Sequence, residues 1–282
     1  MSILANSKKI AVVTGAGGTL CSAMALALAE SGIAVALLGR DLGKLEVVRE
    51  KIILNGGYAI SISTDVTSEK EVGVANDLIL ESMGSPTILI NGAGGNQAAA
   101  VTDFTTYQDE ELNEASEGNR GFLNLDMGAF QSVLQSNTMG TVIPCQIFGK
   151  EMAKNGGGTI INIASMNSFR PLSRVGAYGM AKAGIANFTQ WLASYLAPAN
   201  IRVNAIAPGF FVNDRSRKIL FTEDGSYSDR GNSILRQTPL KRFGDAAELI
   251  GCMNWLISEE NAGFVTGTVI PVDGGFLANS GI

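Results

Sequence analysis

The chain has 282 residues, 46% apolar and only 17% charged, against about 25% charged in an average soluble domain, a ratio that suits a large core and excludes disorder as the dominant state. It contains no histidine, which excludes Ser-His-Asp and Cys-His catalysis and any metal site built on imidazole, so that no metal is expected. A formal net charge of -5, with no Lys/Arg run longer than two residues, excludes a surface that tracks nucleic acid, and no apolar stretch reaches the roughly 18 residues of a membrane span.

In chain order, short aliphatic runs alternate with amphipathic segments of helical length. The spacing predicts strands at Ile10 to Thr14, Ala34 to Leu38, Ala59 to Ser63, Ile88 to Asn91, Ile160 to Ala164, Arg202 to Ala207 and Val269 to Val272. Helices are predicted between them at about 20–31, 42–54, 68–83, 128–154, 176–197 and 245–258. Unbroken apolar strands such as IAVV and TIIN belong in a sheet covered on both faces, and strand-helix alternation demands right-handed crossovers. The reading is a single Rossmann-like α/β domain over residues 1–282, a doubly wound parallel sheet of about seven strands with helices on both faces. Two stretches, near 95–127 and 210–237, exceed ordinary connections; both follow strand ends and are expected to be substrate loops, the second a lid that closes over ligand. The three cysteines, Cys21, Cys145 and Cys252, have no metal-clamp spacing and an odd total, as expected of a reducing cytoplasm.

The turn Thr14 to Cys21, TGAGGTLC, lies between the first strand and the first helix. Glycines there let the backbone approach a pyrophosphate, whose charge meets the free N–H groups of the helix end. Further along, Tyr178 and Lys182 stand at i and i+4 on one helix face. An ammonium beside a phenol favours phenolate and lowers the tyrosine pKa from about 10. Ser165, at the end of the fifth strand, is placed to hydrogen-bond a substrate oxygen.

With these residues in this order the chain resembles the short-chain dehydrogenase/reductase family. Gly15 matches the first glycine of that family's TGxxxGxG turn, while Thr19 and Cys21 take the places of the other two and Gly17 and Gly18 stand just before. Asp65-Val66 looks like the family's adenine contact, Asn91-Gly92-Ala93-Gly94 is similar to its NNAG signature, Asn204 to Gly209 to its NxxxPG segment, and Pro271 to Gly275 to its C-terminal strand and turn. The resemblance implies that Gly15, Gly17, Gly18, Thr19, Leu20, Asp65, Val66, Asn91, Ala93, Gly94, Pro208 and Gly209 hold NAD(P)(H), with Tyr178 and Lys182 at the nicotinamide ribose. It implies Tyr178 as the acid/base, Ser165 as the holder of the substrate oxygen, Lys182 as the group that lowers the Tyr178 pKa, and Asn137 as the holder of a water leading from Lys182 to solvent. Arg40, just past the second strand, favours NADP over NAD, although Asp41 could still turn toward a ribose.

Finer resemblance, in Ala93 to Asn96, Ala164 to Asn167, Asn187 to Leu192 and Ala207 to Val212, is to the D-mannonate oxidoreductase (fructuronate reductase) branch. It implies an anionic, polyhydroxylated substrate met by Asn96, Asn167 and Arg170, with Gln97 and Arg174 near by. The alternatives are gluconate 5-dehydrogenase or 3-oxoacyl reductase chemistry, or a protein that binds NAD(P) without turnover. Phe130, Ile143, Phe148, Phe188 and Trp191 give the two long helices apolar residues beyond what one sheet face covers, and relatives pair these helices in homodimers or homotetramers.

Overall fold

The computed structural model describes residues 9–280. Seven strands, β1 (Ile10–Thr14), β2 (Ala34–Gly39), β3 (Ala59–Ser63), β4 (Ile88–Asn91), β5 (Gly158–Ile163), β6 (Ile201–Pro208) and β7 (Val269–Val272), pair parallel throughout in the order β3-β2-β1-β4-β5-β6-β7. The order reverses between β1 and β4, so a crevice opens at their carboxyl ends. The helices are α1 (Thr19–Glu30), α2 (Leu42–Leu54), α3 (Glu69–Ser82), α4 (Met127–Lys154), α5 (Gly176–Leu196), α6 (Asp214–Leu220), α7 (Asp229–Gln237), α8 (Ile250–Ile257) and α9 (Glu259–Ala262). Among the described residues no helix is long and apolar enough to cross a membrane.

Alternate strand residues feed two cores. Ala11 and Val13 join Met24, Leu28, Leu45 and Met253 under α1, α2 and α8, whereas Val12 joins Val72, Ile79, Phe148 and Leu192 under α3, α4 and α5. Both faces of β1 and β4 are therefore buried along their length, which is why these strands read as apolar runs rather than as alternation.

Departures from the sequence expectation are local. The helix expected at 245–258 begins as a 3-10 turn, Ala246–Leu249, held by a reciprocal cap between Asp245 and Glu248 before α8 starts. The stretch 95–127 holds two 3-10 turns and is folded around its own acids: Asp103 pairs with Arg120 at 3.2 Å, and buried Glu111 accepts from Gln108 N and Leu123 N, both at 3.2 Å. Asp126 then starts α4 by accepting from Gly128 N and Ala129 N at 2.8 and 3.2 Å, a cap of about 1 kcal/mol.

The stretch 210–237 corrects the expectation of a segment with little reason to stay folded: it forms α6 and α7, packed through buried Leu220, Ile234 and Leu235. Gly231 is required there because a Cβ would strike the Leu220 carbonyl. The five apolar residues expected on an outer face also divide. Phe148 and Ile143 are buried in the core, Phe130 and Phe188 are packed against cores, and of the five only Trp191 faces out, stacked between Phe188 and Tyr195 at 5.9 and 5.2 Å. Helix α4 spends its large residues against the sheet and α5, leaving Trp191, Tyr195 and Met180 of α5 exposed.

Candidate active site

The crevice is built first by a backbone contact between the β1 and β4 ends. Gly15 has φ +66°, and a Cβ on it would stand 2.8 Å from Ala93 N, so only glycine lets the two chain segments approach. Thr14, which the sequence reading passed over, ties them together: its Oγ1 accepts from Gly92 N at 3.1 Å and Ala93 N at 3.2 Å. Gly18 caps α1 without a side-chain bond, which leaves N–H groups of Thr19, Leu20 and their neighbours for an anion. Gly17 serves packing, since a Cβ there would meet Lys44 Cβ at 2.9 Å. These features fit the pyrophosphate of a dinucleotide.

Two departures from the family pattern meet in space. Cys21 occupies a glycine place in the turn and Gly92 an asparagine place after β4, and a Cβ added to Gly92 would coincide with Cys21 Sγ. The thiol, 4% exposed, fills the room that Gly92 leaves. Burial pushes its pKa up to about 12, against the pull of the nearby Lys182 ammonium, so it stays a neutral packing group.

The other expected nucleotide residues surround the crevice. Asp65 Oδ1 accepts from Thr67 N and Thr67 Oγ1 at 2.9 and 2.8 Å. Those bonds, led by the backbone one, hold its carboxyl below the usual range, with Arg40 adding a lesser attraction. Val66 is buried against Gly140. Arg40 is exposed, and Asp41 caps α2 at Lys44 N, 3.1 Å away, instead of reaching out. Gly209 follows Pro208 and donates to Val272 O at 2.9 Å, in a place where a Cβ would stand 2.6 Å from Asp273 Cα. Asn91 differs from expectation: its Nδ2 donates to Asn162 Oδ1 at 2.9 Å and to Cys145 Sγ at 3.1 Å, inside the sheet, because the β4 and β5 asparagines stand in register.

Ser165, Tyr178 and Lys182 come together at the β5 end. Ser165 Oγ accepts from Asn167 N at 3.1 Å and is hydrogen-bonded to the Tyr178 hydroxyl. Lys182 is buried, with its Nζ donating to Ile163 O at 2.7 Å and lying 5.6 Å from the Tyr178 ring centroid. Burial lowers its pKa to about 8, Cys21 acting weakly the other way. Burial likewise raises the Tyr178 pKa, and the group that opposes this is Ser165. This corrects the expectation that Lys182 depresses it: the ammonium is turned to a backbone carbonyl, not to the phenol oxygen. Ser168, absent from the sequence reading, steadies the helix by donating from Oγ to Lys182 O at 2.7 Å.

Asn137 also has a different partner set. Where the resemblance implies a water between it and Lys182, its Oδ1 accepts from Gly95 N at 3.1 Å and its Nδ2 donates to Gly95 O at 2.7 Å and Val133 O at 2.8 Å. The amide clamps the segment after β4, and Gly94, at φ +144°, is the residue whose missing Cβ makes room for it.

Of the expected substrate residues, Asn167 is 4% exposed beside Gly179, with Oδ1 accepting from Leu172 N at 2.8 Å and Nδ2 unpartnered. Asn96 is half-buried and turns its Oδ1 to Gln97 N, while Gln97 Nε2 donates to Ser132 Oγ at 2.8 Å. Arg170 is exposed and committed to the C-terminal segment, donating to Asn279 O at 3.1 Å with its guanidinium 5.6 Å from the Phe276 ring centroid. Arg174 pairs with Asp103 and donates to Thr102 O. Among the described residues no group of three Cys, Asp or Glu side chains is arranged to hold a metal ion.

Residues 9–223 match the short chain dehydrogenase family. The chain is 43% identical over 274 residues to the uncharacterized oxidoreductase UxuB of Bacillus subtilis, covering 97% of this chain and 96% of the relative. It is 43% identical over 285 residues to an uncharacterized oxidoreductase of Haemophilus influenzae, covering 100% and 99%. Among solved structures, a candidate D-mannonate oxidoreductase from Haemophilus influenzae with bound NAD superposes with a TM-score of 0.92 at 42% identity, covering 100% of both chains.

Proposed function

The chain belongs to the short-chain dehydrogenase family and is a nicotinamide-dependent oxidoreductase of alcohol and ketone groups; from that premise we propose that its substrate is a sugar acid, interconverted between D-mannonate and D-fructuronate. The observation that carries the reading is the polar lining at the β5 end: buried Asn167, with a free amide N–H pair, sits one turn from the Ser165–Tyr178 pair. A substrate with several hydroxyls supplies the acceptors that such a donor lacks. The D-mannonate name attached to the Haemophilus structure supports the same substrate class.

The bound nicotinamide supplies the hydride acceptor or donor. Tyr178 takes the proton from the alcohol oxygen in oxidation and returns it in reduction, while Ser165 holds that oxygen. Lys182 orders the ribose edge of the nucleotide, and Asn137 fixes the Gly94–Gly95 backbone that borders it. The exposed Arg40, with Asp41 engaged in capping, supports NADP; the NAD in the Haemophilus structure supports NAD. The exposed Met180, Trp191 and Tyr195 face supports pairing of two copies through α5, and the unpaired cysteines support a reducing, cytoplasmic setting.

The test is steady-state turnover on D-mannonate, D-gluconate and D-fructuronate, with NAD(H) and NADP(H) in parallel and a 3-oxoacyl thioester as the contrasting substrate. Turnover fastest on the D-mannonate/D-fructuronate pair is expected. Preference for the thioester, or no turnover of any hexonate, overturns the reading.

A further inference from the structure

On the segment joining Ser165 to Tyr178, and on the helices packed near it, three guanidinium groups stand around one carboxylate. Arg120 donates to Asp103 from Nε at 3.3 Å and from Nη2 at 3.2 Å. Arg174, four residues ahead of Tyr178, lies 3.8 Å from the same carboxylate and donates from Nε to Thr102 O. Arg230 of α7 is the third. It is half-buried and close to Arg174, and it has no hydrogen-bond acceptor and no acidic partner.

The side chain leaves α7 on the face of Ile234, one turn on, which is buried, so it points inward and not to the solvent side. Burial first, and then the Arg174 cation, hold its pKa below the usual arginine range. A cation placed so is costly unless an anion joins it. Asp103 is already shared by Arg120 and Arg174, and it titrates low because of Arg120. Other half-buried arginines among the described residues are satisfied: Arg49 by Glu46, Arg202 by the carbonyls of Val265 and Leu256. Arg230 keeps a planar fork of donors open beside the segment that carries the reacting hydroxyl groups.

We propose that Arg230 receives the carboxylate of the anionic substrate and so sets which of its carbinol carbons stands at Tyr178. The α6–α7 segment then acts as the specificity element: it carries the one group that tells an acid from its uncharged analogue. The assignment rests on the sugar-acid reading.

The experiment compares wild type, R230Q and R230K on the hexonate that wild type oxidises fastest and on the corresponding aldonamide, with nucleotide binding followed by intrinsic fluorescence. The expected result for R230Q is a KM for the hexonate raised about tenfold to a hundredfold, the range of a lost charge-assisted hydrogen bond, with the aldonamide KM and the nucleotide Kd within about twofold of wild type. R230K, which keeps the charge but not the fork, should recover part of the loss. An unchanged hexonate KM, equal losses on acid and amide, or weakened nucleotide binding instead overturns the Arg230 assignment while leaving the sugar-acid reading intact. A wild-type enzyme silent on every hexonate overturns both.

Discussion

Cys21 and Gly92 form a packing pair whose energetics can be worked out before the variants are made. Replacing Gly92 by Ala puts a methyl group where Cys21 Sγ already is, with Thr14 O 3.2 Å and Ile163 Cγ1 3.5 Å away on the other sides. The backbone is not the obstacle, since Gly92 has no positive φ, so the cost is overpacking, about 2–3 kcal/mol. Cys21→Ala removes one buried sulfur and leaves a small void, about 1–1.5 kcal/mol. The double variant moves one heavy atom across the contact and conserves volume, and alanine at 92 narrows the unfolded ensemble. It should lie within about 1 kcal/mol of wild type. Additivity would give a loss of about 3–4 kcal/mol, so the coupling is about 2–3 kcal/mol. Urea unfolding of the four proteins at one protomer concentration, with m-values compared, reads it. Single-variant losses that sum in the double variant to within about 0.5 kcal/mol would refute the claim that the cysteine compensates for the glycine.

Tyr178→Phe removes the transferred proton but no polar nucleotide contact, so kcat should fall below a tenth of wild type with nucleotide Kd nearly unchanged; kcat above a tenth would exclude Tyr178 as the acid/base. Because burial raises the Tyr178 pKa, the phenol is protonated near neutrality, and alcohol oxidation should accelerate with rising pH while ketone reduction slows. Parallel pH profiles in the two directions would contradict this. For stability, Lys182 has a folded pKa lowered from 10.5 to about 8, so above pH 8 the unfolded chain holds a proton that the folded chain has released, and stability rises with pH until the unfolded value is passed. Relative to Lys182→Met, in which the cysteine titrations are retained, wild type should gain about 2 kcal/mol between pH 8 and about pH 9.5; a flat difference refutes it. Arg40→Ala should weaken NADP by about 1.5–3 kcal/mol and leave NAD alone, and equal losses for both nucleotides in a titration would remove the case for a 2′-phosphate contact.

What could be read from the sequence is what depends on near neighbours along the chain. Strand-helix alternation, the unbroken apolar strands and the i, i+4 spacing of Tyr178 and Lys182 follow from periods of two and 3.6 residues, and the observed strands β1, β3, β4 and β7 match the expected ones residue for residue. Ser165 and Tyr178 could be named because both stand at fixed places relative to a strand end and a helix start. What stayed hidden depends on residues far apart meeting. No local pattern says that Cys21 fits Gly92, that Asn137 closes on Gly95, that Asn91 turns to Asn162, or that Lys182 faces the Ile163 carbonyl. Nor does any local pattern show that residues 210–237 fold into two helices, or that Arg230 lies beside Arg174 with no carboxylate left for it. Dielectric burial and pairing are properties of the assembled crevice, so the direction of the Tyr178 and Lys182 pKa values and the open guanidinium of Arg230 were decided only when the sheet brought β1, β4 and β5 side by side.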